Sequence, residues 1–178
     1  IFPHSELHAT NDREFFNFDL IKKDEKFDKN KYWPVYKGDS IHYWNPDTAT
    51  YFAHADSKLL IEELFARRLR ASKNKNSVFS KLDKEFIRSK KTLSCLNHRI
   101  VFRNVTNRTN TRTFISAIIP KNIFAPNFVP YLIHPNISES EMVYLVGIFN
   151  SIPFDWYARL WVEINVNFFI FDKFPVPK

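Results

Sequence analysis

The sequence predicts a chain in which helices and strands mix, and three stretches carry that prediction. Arg99–Pro120 holds two apolar, β-branched runs, Ile100–Val105 and Phe114–Ile119, around the polar segment Thr106–Thr113. That pattern reads as strand, loop, strand. Asp56–Ala71 places Leu60 and Leu64 on one stripe and Ile61, Phe65 and Leu69 on the next, the spacing of an amphipathic helix. Ser138-x-x-Glu141 is a capping box in front of Met142–Asn150, an amphipathic helix. With 178 residues, 44% of them hydrophobic and 17% aromatic, the chain can bury a core. One domain is expected, with two small lobes as the other division.

Taken in order, Ile1–Leu7 is a short opening segment, and Glu6–Arg13 follows with Asn11 and Asp12 as turn formers. Phe15–Ile21 is expected as a strand and Lys22–Lys31 as a charged loop. In Tyr32–Tyr43 one apolar run ends at Val35 and Tyr36, Gly38 and Asp39 turn the chain, and Ile41–Trp44 begins another run. Asn45–Thr50 is a second turn. Asp56 or Ser57 caps the helix that follows. Arg67, Arg68 and Arg70 crowd its last turn, where cations suit the helix dipole. Ser72–Ser77 is a polar linker, and Val78–Leu96 fits helix and extended chain equally.

Beyond the hairpin, Pro126, Pro130 and Pro135 make Lys121–Asn136 an extended or looping connection. Pro153 fits the first turn of a helix continuing through Phe154–Val162. Asn165–Phe171 is expected as a last strand, and Lys173–Lys178 as an extended exit. The chain begins at Ile1 without Met and stops at a Pro-rich end, so an excised piece of something longer is expected.

Charge is distributed unevenly. No acidic residue lies between Glu85 and Glu139, a window of 53 residues holding Arg88, Lys90, Lys91, Arg99, Arg103, Arg108, Arg112 and Lys121. The other 18 basic residues face 19 acidic ones, so the net charge of +7 arises wholly in this third of the chain. A polyanion partner accounts for a local excess better than solubility does, with a plain solvated basic face as the bland alternative.

Several classes of chemistry find no footing. Two glycines exclude Gly-rich phosphate loops. Cys95 is the only cysteine, which excludes an internal disulfide and a Cys-based zinc site, and its apolar neighbours point to a buried structural thiol. The six histidines lack metal spacing. No signal peptide is visible and no apolar run approaches membrane length, so the cytoplasm is the expected compartment and no membrane partner is expected. Asp47, Asp56 and Lys58 fit the letters of a metal-dependent nuclease, but turn and cap duties explain the two aspartates as well. Asn45-Pro46-Asp47-Thr48 lacks the second Pro and the aromatic of an amine-gripping methyltransferase loop. Tyr43 and Trp44 are candidates for stacking on bases, although core packing is the commoner use of the 30 aromatic residues.

Four segments together resemble a known family. They are Ala9-Thr10-Asn11-Asp12, then Pro34 through His42, then Phe102-Arg103-Asn104-Val105-Thr106-Asn107 with Asn110-Thr111-Arg112-Thr113. Last come Phe149-Asn150-Ser151, Phe154-Asp155, Asn167-Phe168-Phe169 and Phe174-Pro175-Val176-Pro177. In this order they resemble the target recognition domain of type IIG restriction–modification enzymes and Taq-like N6-adenine DNA methyltransferases. The resemblance spans nearly the whole chain and is weakest between Ser57 and Leu96. At Asp39-Ser40, relatives tend to carry Lys-Met.

The resemblance implies an α+β fold, a twisted and mostly antiparallel sheet with packed helices. It implies that residues 1–178 are a DNA target recognition domain, without catalysis, metal or cofactor of its own. A methyltransferase domain of the same polypeptide would bind S-adenosylmethionine, and some relatives also cleave DNA. The expected DNA-contacting residues are Lys37, His42, Lys73, Lys75, Arg99, Arg103, Asn107, Arg108, Asn110 and Arg112. Arg and Asn suit base edges, and Lys and Arg suit phosphates. Arg112, Lys37 and His42 recur in the family pattern, which favours holding the loop or a phosphate over choosing bases. Lys73, Asn74, Lys75 and Asn76 are at divergent positions and suit specificity. The alternatives are a module that docks the methyltransferase domain through a Phe-rich surface, and the nuclease above.

Overall fold

The computed structural model describes residues 1–22 and 27–176, with Lys22 described in its backbone only. Part of the expected charged loop and the last two residues of the exit segment therefore lie outside the described residues. The elements are β1 (Phe2–His4), β2 (Phe16–Asn17), α1 (Asp19–Lys22), β3 (Tyr32–Tyr36), β4 (Tyr51–Asp56), α2 (Ser57–Ala71) and α3 (Lys84–Arg88). They continue with β5 (Arg99–Phe102), β6 (Ser116–Ile119), β7 (Tyr131–Ile133), α4 (Glu139–Phe149), α5 (Ile152–Arg159) and α6 (Phe168–Phe171). The fold is α+β. One sheet runs β1-β7-β5-β6 and a second runs β2-β4-β3, and every strand pair in them is antiparallel.

The expected hairpin forms, with Arg99 opposite Ile119 and Phe102 opposite Ser116. The proline-rich return after it contributes β7, which pairs with β5 at Val101–Tyr131 and with β1 along its length. β5 is therefore a central strand buried on both faces. Ile100 and Phe102 point to a core built with α4, α5 and α6, whereas Val101 points to a second core with Tyr36, Ile41 and Tyr131. The first core is an aromatic stack: Phe102 lies 5.1 Å from Phe171 and 5.5 Å from Phe114, and Phe154 lies 5.1 Å from Phe114 and Phe149. Such pairs contribute about 0.5–1.5 kcal/mol each beyond area burial. A third core sits where Leu60 and Leu64 of α2 cover Trp33, Val35, Ala53 and Ala55 of the small sheet.

The helix caps follow the sequence. Asp56 accepts the Leu59 N–H at 3.1 Å, and Ser138 and Glu141 complete a reciprocal capping box on α4. Pro153 stands in the first turn of α5, but Ser151 caps it as a separate helix. Two expected strands are corrected. In residues 15–21 only Phe16 and Asn17 pair with β4, because the Asn17 side chain accepts the Asp19 N–H at 3.0 Å and turns the chain into α1. Residues 165–171 end in α6, which delivers Ile170, Phe171 and Phe174 together into the aromatic core. Strand alternation would have sent neighbours to opposite faces. Residues 41–44 form a turn rather than a new run, with His42 bridged to Asn45. Residues 78–96 fold as α3 among three short 310 turns.

Candidate nucleic-acid interface

The loop joining β5 to β6 has a buried neck and an exposed tip. The Thr106 hydroxyl donates to the Thr113 carbonyl at 2.7 Å, and both threonines are buried. Residues 107–111 are exposed, and Arg112 is half-buried. The backbone of this loop is held from α5. Asp155 accepts the N–H groups of Thr113 at 2.7 Å and Phe114 at 2.8 Å. Its other oxygen accepts from Nε of Arg159 at 3.0 Å. The Arg159 guanidinium then donates to the carbonyls of Arg108 at 3.0 Å, Asn110 at 2.8 Å and Thr111 at 2.6 Å.

Anchoring through the backbone leaves part of the side-chain set available. The Asn107 carboxamide oxygen accepts the Thr109 N–H at 2.9 Å, an Asx turn that shapes the tip, and the Asn110 carboxamide donates to the Thr106 hydroxyl at 3.5 Å. The Arg108 guanidinium has no hydrogen-bond or ion-pair partner among the described residues. Arg112 lies 5.4 Å over the Tyr43 ring, and the His42 ring is 4.2 Å from Tyr43. These contacts join the loop to the segment 37–46. Arg103 strengthens the join: its guanidinium donates to the Ile41 carbonyl at 2.8 Å, and its stem passes so close to Gly38 that an added Cβ would stand 3.3 Å from Cγ. A side chain there would press the Arg103 stem aside by a few tenths of an ångström, so glycine favours the close approach; its φ is ordinary. Lys37, His42, Asn107, Arg108, Asn110 and Arg112 therefore belong to one contiguous pair of loops.

Four of the ten expected contacts stand elsewhere. Arg99 is a correction. It is 4% exposed, pairs with Glu6 at 3.1 Å and donates to the carbonyls of Ser94 and Ile123 at 2.8 Å. Arg99 shares the Val101 face of β5, and both faces of that strand are covered. Arg103, on the same face, donates through one guanidinium nitrogen to the Ile41 carbonyl, with Asp39 4.0 Å away. Lys73 and Lys75 occupy an exposed turn after α2 whose hydrogen bonds run to α2 and to Ser77 and Ser80.

The basic window is likewise not one free face. Lys90 pairs with Glu62, Arg99 with Glu6, and Arg103 lies near Asp39. Arg88, Lys91, Arg108, Arg112 and Lys121 carry no salt bridge among the described residues. Of the α2 arginines, Arg67 binds Asp12 at 2.8 Å and Glu63 at 2.7 Å, Arg70 binds Glu63, and buried Arg68 donates to Thr92.

The nuclease trio is not brought together. Asp56 caps α2 at one end of β4, whereas Asp47 precedes the other end and accepts from Ala49 N–H and the Tyr51 hydroxyl. The strand between them spans roughly 16 Å. Burial, with Asp47 beside it, pushes the Tyr51 phenol up to about 12. Cys95 is fully buried, and burial pushes its thiol up to about 12, which suits a packing role.

Asp155, Arg159 and Asn150 were missed as site residues. Asn150 grips β6 by accepting the Ser116 N–H at 3.2 Å and donating to the Ser116 carbonyl at 3.0 Å. The available signal was an Asp and an Arg four apart in a predicted helix, with the Asp beside core Phe154. No described helix is long and apolar enough to cross a membrane. Scans of family models, curated proteins and solved structures find no match to this chain.

Proposed function

We propose that this chain reads the sequence of double-stranded DNA on behalf of a larger adenine-N6 methyltransferase of the restriction–modification type. The observation that carries the reading is the 106–113 loop, fixed through its backbone by Asp155 and Arg159 while Asn, Arg and Thr side chains face solvent. A fixed frame lowers the ordering cost of binding, so the side chains retain their full discrimination. Asn107, Arg108 and Asn110 suit base edges in the major groove, at about 1–3 kcal/mol per good bidentate pair. Arg112, Lys37 and His42 suit the flanking phosphates. Arg99 and Arg103 hold the frame instead. Lys73 and Lys75 remain candidates for a second phosphate contact. The methyl donor, S-adenosylmethionine, belongs to the methyltransferase domain of the same polypeptide, and cleavage, where the parent enzyme has it, to another segment. Such work is cytoplasmic.

The test is selection of duplexes from a random pool, then fluorescence anisotropy on the enriched sequence from low to physiological salt. A common motif and a falling log Kd–log salt line are expected. No enrichment, with equal binding to every duplex, overturns sequence reading.

One observation favours a second role for the same chain, docking the methyltransferase domain. Ile152, Trp156 and Leu160 are exposed at four-residue spacing from the start of α5 to the residue just past its end. Trp156 lines an apolar groove with Tyr144, Gly147, Ile148, Tyr157 and Val176. The expected Phe-rich docking surface is corrected, because most phenylalanines lie in the cores and Phe169 is the main exception.

A further inference from the structure

Trp44 stands at the tip of the two-residue turn between His42 and Asn45, closed by reciprocal backbone hydrogen bonds of 2.9 Å. Its φ is +62°, a left-handed conformation that glycine or asparagine adopts freely and a bulky side chain rarely does. Strain of that kind persists only where the surroundings enforce it, and it concentrates at functional sites. Here the enforcing contacts are the two turn hydrogen bonds and the Asn45 carboxamide, which accepts the Asp47 N–H at 3.1 Å. Trp44 is 67% exposed and lines a small apolar pocket with Pro46, Ala117, Ile118 and Val143.

Its neighbours specify what it meets. Tyr43, the adjoining residue, carries Arg112 over its ring at 5.4 Å, and the His42 ring lies 4.2 Å from it. An exposed indole next in sequence to a tyrosine that gathers a guanidinium and an imidazole suits a flat π-system carried on an anionic backbone, which is a nucleobase on its phosphates.

We propose that Trp44 is a wedge whose indole enters the base stack at one opened step and stacks on the base exposed there. The inference rests on the DNA-reading function above and deepens it, adding a contact to a base face to the edge contacts of the 106–113 loop. Wedges of this kind unstack a step and bend the duplex, and they favour steps that open at low cost.

The probe is a fluorescein-labelled duplex of about 30 base pairs, intact or with one central mismatch that lowers the opening cost. Binding is read by anisotropy at low salt. In a parallel duplex, 2-aminopurine beside the mismatch reports unstacking. The wild-type chain is expected to bind the mismatched duplex about ten-fold more tightly and to change the 2-aminopurine emission. Trp44→Ala and Trp44→Asn are expected to bring that ratio close to one and abolish the emission change, whereas Trp44→Phe keeps most of both. Asn suits the left-handed backbone, so the second variant guards against a folding defect. A ratio and emission change that survive in Trp44→Ala and Trp44→Asn overturn the wedge and leave DNA reading in place, as does a wild-type ratio near one. A wild-type chain that binds neither duplex overturns the reading itself, and the wedge with it.

Discussion

Asp155 accepts the backbone N–H of Thr113 at 2.7 Å across 42 residues of sequence. One carboxylate on α5 thereby sets the position of the loop between β5 and β6. Replacing it with alanine leaves two backbone N–H groups and the Arg159 guanidinium without their acceptor. Hydrogen bonds to a charged group contribute about 1.5–3 kcal/mol each, and burial makes their loss costly. Asp155→Ala is expected to lower stability by about 2–4 kcal/mol in urea titration. A loss under about 0.5 kcal/mol, the size of an ordinary surface change, would show that the anchor is dispensable.

Arg159→Ala removes the contacts to three loop carbonyls while keeping Asp155. The stability loss is expected to be smaller, about 1 kcal/mol. Amide exchange should accelerate selectively in residues 107–111, and the affinity for the selected duplex should fall although residue 159 does not itself read bases. Unchanged exchange in the loop would count against backbone anchoring.

Arg99 pairs with Glu6 inside the protein. Arg99→Met strands a buried carboxylate and is expected to cost about 3–5 kcal/mol. Adding Glu6→Gln should restore part of that loss, because the uncompensated charge is then removed. A double variant no more stable than Arg99→Met would exclude a coupled pair.

Arg108 has no partner among the described residues and is exposed at the tip, so its replacement should leave folding unchanged. Arg108→Ala is expected to weaken duplex binding. If the side chain meets a phosphate, the slope of log K against log salt also drops by about 0.9. If it meets a base, affinity for the selected motif falls with the slope retained, at about 1–3 kcal/mol. Equal affinity for every duplex before and after the change would remove Arg108 from the interface.

His4 packs edge-on against Phe79 at 4.8 Å and Tyr131 at 5.6 Å. Burial, with Arg68 nearby, lowers its pKa from 6.5 to about 4. The unfolded chain then binds the extra proton first as pH falls. Stability from this group is complete above about pH 6.5 and is lost progressively down to about pH 4, amounting to roughly 3 kcal/mol. His54, lowered by burial, acts in the same direction. Glu6, raised by burial in spite of Arg99, acts in the opposite one. His4→Phe keeps the edge-on packing and should flatten the wild-type slope across that window in urea titrations at stepped pH. An identical slope in both proteins would locate the effect elsewhere.

The segments that carry the expected resemblance contribute mainly structural contacts. Asp12 binds Arg67 and the His8 N–H, Gly38 admits Arg103, Asn150 grips Ser116, and Asp155 holds the loop. These residues hold the frame, while residues 107–111 at the tip are exposed.

Local chemistry determined what the chain alone reveals: the α2 and α4 caps, the β5–β6 hairpin and its polar loop, and the mixed class of the fold. Each follows from side chains within one turn or one strand pair, where spacing and hydrogen-bonding groups decide the outcome. Tertiary structure decided which charges are free. Arg99 and Arg108 look alike in sequence, yet one lies in a strand covered on both faces and the other at a tip that nothing covers. Strand alternation separates the faces of β5 but does not say that α4, α5 and α6 cover one and the core around Tyr36 and Ile41 covers the other. The same holds for α6 and for Asp155, whose burial and partners come from elements far away in the chain. Electrostatic work in proteins depends on burial and on partners, and both are set by three-dimensional packing rather than by the order of residues.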